Sequence, residues 1–177
     1  MQYVALAARC VLGLIFLVAV LGKVRSRNAF REFARSVPGL APRLPRGATA
    51  GAVVAAEAAA VVLLAIDGTV PAGLALAGAV LLAFAAALHR ALRAGRGATC
   101  RCFGTRPDPI GRVHVVRNLA LTAVAAAGLA AHLAAPGPPH PAGAVIAVAG
   151  AGVLTLVFIF FGELTDLLIA PSARTPR

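Results

Sequence analysis

Long apolar runs separated by short charged segments dominate the chain. Five runs reach the length of a membrane helix, which needs about 20 mainly apolar residues. They cover residues 3–22, 47–66, 70–89, 114–134 and 142–162, the last with an optional extension to 169. Because backbone polar groups in lipid must pair internally, we expect each run to be helical. The pattern predicts an all-α, polytopic transmembrane helix bundle with about five spans.

The composition agrees with a membrane protein. The chain is 60% hydrophobic and 13% charged, against about 45–50% and 25% in soluble domains. The first run, "CVLGLIFLVAVLG", ends in the basic stretch "KVRSR", which favours a retained span over a cleaved signal peptide. We expect a four-helix membrane domain over residues 1–134, with a cysteine loop at 93–113. Residues 135–177 would then add a C-terminal transmembrane helix and a short tail.

Basic residues collect on one side of the predicted bundle. Sixteen of the 17 Lys and Arg residues lie in or beside the first loop, the third loop and the C-terminal tail, and Arg9 is the exception. The positive-inside rule makes that side cytoplasmic. We therefore expect a multi-pass protein of the cell membrane, with its N-terminus outside and its C-terminus and cysteine loop in the cytoplasm.

In a soluble chain, a net charge of +11 would indicate binding to nucleic acid. One Tyr and no Trp leave little for a base-stacking surface. The expected partner is the lipid bilayer, and nucleic acid is not expected.

The stretch "NAFREFARSVPGL" between the first two runs has a pattern of its own. Phe30, Phe33 and Val37 recur at three- and four-residue spacing, with Arg31 and Arg35 on other faces. This pattern predicts a short interfacial helix, its apolar face in the lipid and its basic face on anionic headgroups. An ordinary basic loop is the alternative.

Two cysteines, Cys100 and Cys102, lie one residue apart in "TCRCFG" at 99–104. A disulfide between them requires a bent backbone and a strained small ring. Strained, exposed disulfides tend to be the labile, catalytic or regulatory ones. Positive charge on Arg96, Arg101 and Arg106 favours the reactive thiolate. These features favour a redox pair.

Other interpretations of the cysteines stay open. They are also compatible with ordinary loop residues, or with half of a metal site completed by His114 and Asp108, although zinc prefers wider cysteine spacing. Our main interpretation includes no metal. Cys10 lies about 20 Å from the basic side at 1.5 Å per helical residue, so we expect it to be a small buried apolar residue.

A few polar residues fall inside or beside the runs. Glu57 lies mid-span, where a carboxyl group is costly, so we expect a hydrogen bond to another helix or a proton-handling role near a redox centre. Arg9 and Arg117 lie near opposite ends of their spans, and neither is an obvious partner for Glu57. His114, Arg117 and Asn118 share one face where the fourth run begins. That face is either support for the cysteine loop or a charged interfacial flank.

The order of these segments resembles a known family. It runs "LGKVR", "FREFARSVPGL", a second span bearing Glu57, "CRCFG" and "HVVRNLAL". Over about residues 3–134 this resembles the methylamine utilisation protein MauE family, within the broader DoxX-like membrane proteins. The resemblance implies a helical bundle tied to methylamine metabolism, which helps to form disulfides in, or otherwise mature, the small subunit of methylamine dehydrogenase. It also implies Cys100 and Cys102 as the redox pair, with Arg117 and Asn118 as the polar pair of the motif. Apart from the resemblance, we include Arg101, His114 and Glu57 as candidate supporting residues because of their positions beside the cysteines or within a span.

Two function classes therefore compete. The first is thiol–disulfide exchange with a protein thiol substrate or redox partner, which would make the chain a thiol–disulfide oxidoreductase. No nucleotide, haem or flavin motif is evident, which leaves a quinone as a candidate electron acceptor. The second class is a non-enzymatic membrane assembly or anchor subunit with structural cysteines. A transporter has less support, since the sequence offers one mid-span acid and no symmetry-related pair of broken helices.

Overall fold

A computed structural model describes residues 1–95, 99–100, 108–109, 111–135, 137 and 140–169. Of these, residues 99–100, 108–109 and 159–169 are described by their backbone alone. The described part contains six α-helices: α1 (Gln2–Val24), α2 (Arg27–Leu40), α3 (Arg46–Ala65), α4 (Val70–Arg93), α5 (Arg112–Ala134) and α6 (Pro141–Ile169). A single 3₁₀ turn, Asp67–Thr69, links α3 to α4, and two short strands, β1 (Thr99–Cys100) and β2 (Asp108–Pro109), lie between α4 and α5.

Local signals in the sequence set several of the helix ends. The Ser26 hydroxyl accepts a hydrogen bond from the Ala29 amide at 3.0 Å and so caps α2. Pro71 occupies the first turn of α4, where its missing N–H costs nothing. Gly95 follows the end of α4 with φ of +61°, the left-handed conformation that commonly terminates a helix.

Four helices form a closed ring. Helix α1 packs against α3 and α5, and α4 packs against the same two helices from the other side. Helix α6 packs on the outside of α1, and α2 packs on α3. The main core is filled by side chains such as Leu12, Ile15, Leu74 and Leu121, all at most 1% exposed. Gly128 permits the close approach of α5 to α1, because a Cβ there would lie 2.5 Å from the Cβ of Ala8.

Within the described residues, five helical segments are long and apolar enough to cross a membrane; they begin at Gln2, Arg46, Asp67 (the 3₁₀ turn that leads into α4), Arg112 and Pro141. Large apolar side chains such as Val62, Leu82 and Ile146 are exposed on their outer faces, as lipid-facing residues are in a helical membrane protein. The predicted all-α bundle, with a four-helix core and an additional C-terminal helix, is confirmed.

The predicted helix between the first two spans is confirmed as α2, but the predicted direction of its apolar face is wrong. Phe33 and Val37 are 4% and 5% exposed and pack with Ala50 of α3. Lipid and a protein neighbour are both apolar surroundings, so an amphipathic pattern alone does not distinguish them. The apolar face of α2 therefore holds this helix onto the bundle.

Candidate functional site

A buried ion pair joins α1 to α3. The Nζ atom of Lys23 donates to both carboxylate oxygens of Glu57, at 2.7 and 2.8 Å. Both side chains are 3% exposed. Glu57 thus makes the interhelical contact expected of a mid-span carboxyl group, but its partner is Lys23 rather than either arginine considered from the sequence.

The helical periodicity explains why these two residues meet. In α1, Lys23 follows Ala19 by four residues and Phe16 by seven, and all three are buried. In α3, Glu57 precedes Ala60 by three residues and Leu64 by seven, and these are buried as well. Each charged residue therefore continues the apolar stripe of its helix, and the stripes face each other because α1 packs on α3. This continuation of the stripe is the signal by which the sequence marks Lys23 as buried.

The ion pair also contacts α2. The Lys23 Nζ lies 5.0 Å from the centroid of the Phe33 ring, within the range of a cation–π interaction. Phe33 belongs to the small cluster with Val37 and Ala50 that seats α2 on α3. Three helices therefore meet at Lys23, Glu57 and Phe33, which we call the polar junction.

The cysteine segment begins next to α2. Strand β1 pairs antiparallel with β2, with Thr99 opposite Pro109 and Cys100 opposite Asp108. Strand β1 also lies against α2. The strand that contains Cys100 therefore contacts both β2 and α2, the helix that contributes Phe33 to the polar junction. Its side chain, together with Arg101 and Cys102, lies outside the described residues.

The polar residues predicted to share a face at the start of α5 are buried or half-buried. Arg117 and Asn118 are 8% and 6% exposed, and His114 is half-buried. The Asn118 amide nitrogen donates to the His114 carbonyl oxygen at 2.7 Å, so this group bonds within its own helix. Asn118 precedes Leu121 by three residues on the buried stripe of α5. These residues thus form part of the interior of the bundle near the start of α5.

A second ion pair lies near the other end of α1. Arg9 Nη1 contacts Asp67 Oδ1 at 2.5 Å. The same guanidinium donates from Nε to the Leu64 carbonyl oxygen and from Nη2 to the Ala65 carbonyl oxygen, at 2.5 and 2.8 Å. Carbonyl groups in the last turn of a helix lack intrahelical donors. Arg9 therefore caps the end of α3 across the helix interface.

Cys10 is half-buried and packs against the main core, the cluster that includes Leu12. The sequence predicts a small buried apolar residue; the contact with the apolar core is present, but Cys10 is only half-buried. Among the described residues, no group of three or more His, Cys, Asp or Glu side chains is arranged to hold a metal ion.

Comparison with known proteins gives a family. The model of the family described as methylamine utilisation protein MauE matches residues 1–131, about three quarters of the chain. No curated protein and no solved structure matches the chain. The chain therefore belongs to the MauE family, and its function is linked to methylamine utilisation.

Proposed function

We propose that this MauE-family membrane protein carries out thiol–disulfide exchange through Cys100 and Cys102. The observation that carries the proposal is the "CRC" sequence at the start of a segment that joins two helices of the ring, α4 and α5. The spacing of the two cysteines supports it, because a disulfide across a single residue is a strained small ring, and strained, exposed disulfides tend to be the labile or catalytic ones.

The exchange balances in two steps. A thiolate of the substrate protein attacks one sulfur of the Cys100–Cys102 disulfide, that bond breaks, and a mixed disulfide forms. A second substrate thiolate then attacks the substrate sulfur of the mixed disulfide and releases the oxidised substrate. The loop has gained two electrons and two protons and holds two thiols. We propose a lipid-soluble quinone as the co-reactant that takes up these electrons and protons and becomes a quinol.

The proposed substrate is a thiol protein of the methylamine dehydrogenase type. The family link to methylamine utilisation supports this choice. The proposed orientation places the cysteine loop and the C-terminus on the cytoplasmic side, since sixteen of the 17 basic residues collect there. An impermeant thiol reagent applied to intact cells tests that orientation, and it should leave the loop thiols unlabelled until the membrane is opened.

Labelling of native membranes with a maleimide polymer tests the redox proposal. A Cys10→Ser background limits the reaction to the two loop thiols, each of which adds one mass step on a gel. We expect two steps after reductant and none after a quinone analogue. In that background, Cys100→Ser and Cys102→Ser single variants cannot form the loop disulfide, so each should show one step under both conditions and leave the substrate thiols reduced.

The double variant Cys100→Ser/Cys102→Ser is the matched control; in the Cys10→Ser background it contains no thiol and should show no step under either condition. Two reactive thiols under every redox condition, with normal methylamine-dependent growth of the double variant, would sink the exchange proposal. That result would favour the alternative, an assembly or anchor subunit with structural cysteines.

A further inference from the structure

A groove lies where α1 ends and α2 begins. It has a volume of about 320 Å³, near the lower end of the range for small-molecule sites. Its lining residues are Val24, Ser26, Arg27, Phe30 and Arg31. Both arginines are exposed, and neither guanidinium has a carboxylate partner among the residues that the structure describes. The groove therefore presents two cations beside apolar side chains.

The two arginines belong to a basic stripe of α2. Arg27, Arg31 and Arg35 recur every four residues and are all exposed, so they lie along one side of the helix. The apolar side, with Phe33 and Val37, is buried against α3. Because protein occupies that side, α2 cannot insert it into lipid as an isolated interfacial helix would. Three of the four exposed charged residues of α2 are arginines, so the helix presents mainly positive charge to its surroundings.

The groove continues into an apolar surface of α1. Leu14, Leu17, Leu21 and Val24 follow one another at three- and four-residue spacing, and each is 39–55% exposed. In a spanning helix, an exposed stripe of this kind faces the hydrocarbon. Val24 belongs both to the stripe and to the lining of the groove. The cationic and the apolar surfaces therefore meet there without a break.

The groove lies at the level of the phospholipid headgroups. Helices α1 and α3 both have the length and hydropathy of membrane spans, and α2 joins the end of α1 at Val24 to the start of α3 at Arg46. A segment that follows the last turn of a span lies in the interfacial region. Guanidinium groups at this level meet lipid phosphates, which they bind through paired, charge-assisted hydrogen bonds.

We propose that this groove binds one anionic phospholipid of the surrounding leaflet. Arg27 and Arg31 bind its phosphate and headgroup, and one acyl chain lies along Leu21 on the outer face of α1. A free phosphate ion would use the two cations but not the apolar stripe. A zwitterionic lipid would bring its own cation close to the two guanidinium groups. Lipid binding here is independent of the thiol chemistry proposed above.

Fluorescence quenching by brominated lipids measures this binding. The chain contains no tryptophan, so Leu21→Trp places a single tryptophan on the stripe beside the groove. The variant is reconstituted in phosphatidylcholine vesicles, and an increasing share of the lipid is replaced by phosphatidylglycerol or phosphatidylcholine with brominated chains. We expect phosphatidylglycerol to bind at this position at least about fivefold more tightly, the factor that one basic residue near the membrane surface contributes.

Two variants of equal charge separate the groove from the general surface charge. Arg27→Gln/Arg31→Gln removes both cations of the groove and should abolish most of the preference for phosphatidylglycerol. Arg43→Gln/Arg46→Gln removes two other exposed arginines between α2 and the first turn of α3. This control has the same net charge and should retain most of the preference.

A second tryptophan position controls for the fold of these variants. Val116 is 59% exposed and lies near the start of α5, at the same end of the bundle as the groove. With Val116→Trp in place of Leu21→Trp, quenching should be the same in the two charge variants, because both retain the folded bundle.

Three results would overturn the lipid site. The first is an equal loss of preference in the two charge variants, since general surface charge would then account for it. The second is the absence of any preference for phosphatidylglycerol over phosphatidylcholine at Leu21→Trp. The third is displacement of the brominated lipid by inorganic phosphate but not by chloride at the same ionic strength, which would make the groove a site for a free anion.

Discussion

Two ion pairs connect α1 to the same neighbouring segment of the chain, and their surroundings are opposite. Lys23 and Glu57 are each 3% exposed, whereas Arg9 and Asp67 are 24% and 93% exposed. Both pairs have short contacts between nitrogen and oxygen. Water and salt screen the exposed charges, but the buried charges have no substitute partner in their surroundings. The same chemistry should therefore be dispensable at one end of α1 and essential at the other.

The largest effect is expected from removal of one partner of the buried ion pair. Glu57→Gln leaves the Lys23 ammonium without its counter-charge in the bundle, which should reduce the free energy of unfolding by roughly 3–5 kcal/mol. Denaturation in mixed micelles, followed by circular dichroism, measures this loss. The double variant Lys23→Met/Glu57→Met should recover most of it, because no lone charge remains. A single variant as stable as wild type would mean that the pair is not buried as described.

An intermediate effect is expected at Arg9. Arg9→Met removes the pair with Asp67 and also two donors to the carbonyl groups of Leu64 and Ala65. Hydrogen bonds from charged donors contribute about 1.5–3 kcal/mol each when buried, but this guanidinium is partly solvated. We expect a total loss of about 1–2 kcal/mol in the same unfolding experiment. An effect as large as that of Glu57→Gln would show that exposure does not separate the two pairs.

The smallest effect should come from Asp67→Asn. This change removes the exposed charge but leaves the helix-capping bonds of Arg9 in place, so the cost should be at most about 0.5 kcal/mol. The difference from wild type should shrink further between low and high salt, because exposed charges are screened. The cost of Glu57→Gln should not respond to salt. An equal salt dependence of the two variants would show that exposure to water does not separate the two ion pairs.

The positions of the spans could be predicted from the sequence. The run at 47–66 became the helix Arg46–Ala65, and the run at 114–134 became Arg112–Ala134. Membrane helices can be predicted from sequence because the length and apolarity of each run are local properties. The helix α2 could be predicted for the same reason, since its periodicity lies within 14 residues.

The polar junction could not be predicted from run length, apolarity or periodicity. Lys23 stands at the end of an apolar run, where a basic residue ordinarily marks the membrane interface. Whether it faces the interface or Glu57 depends on how α1 and α3 align, a tertiary property that neither run contains. The buried stripe through Phe16 and Ala19 places Lys23 on the inner face of α1, yet it does not name the partner. The burial of Phe33 against α3 could not be predicted for a related reason, since the amphipathic pattern of α2 is compatible with contact to lipid or to protein.

The cysteine pair differs from the junction, because its redox chemistry is a prediction from the spacing of Cys100 and Cys102 in the sequence, and its side chains lie outside the described residues. The pairing of Cys100 with Asp108 gives the backbone frame alone. The redox state of the two thiols can be measured directly on the protein.

Tryptic digestion of the protein from native membranes tests that chemistry most directly. Trypsin cuts after Arg101, between the two cysteines, and yields peptides 97–101 and 102–112. After acid quenching and alkylation, an intact disulfide keeps the two peptides joined in one mass. We predict the joined mass in membranes treated with a quinone analogue, and two separate alkylated peptides after reductant. Separate peptides under both conditions would contradict the account.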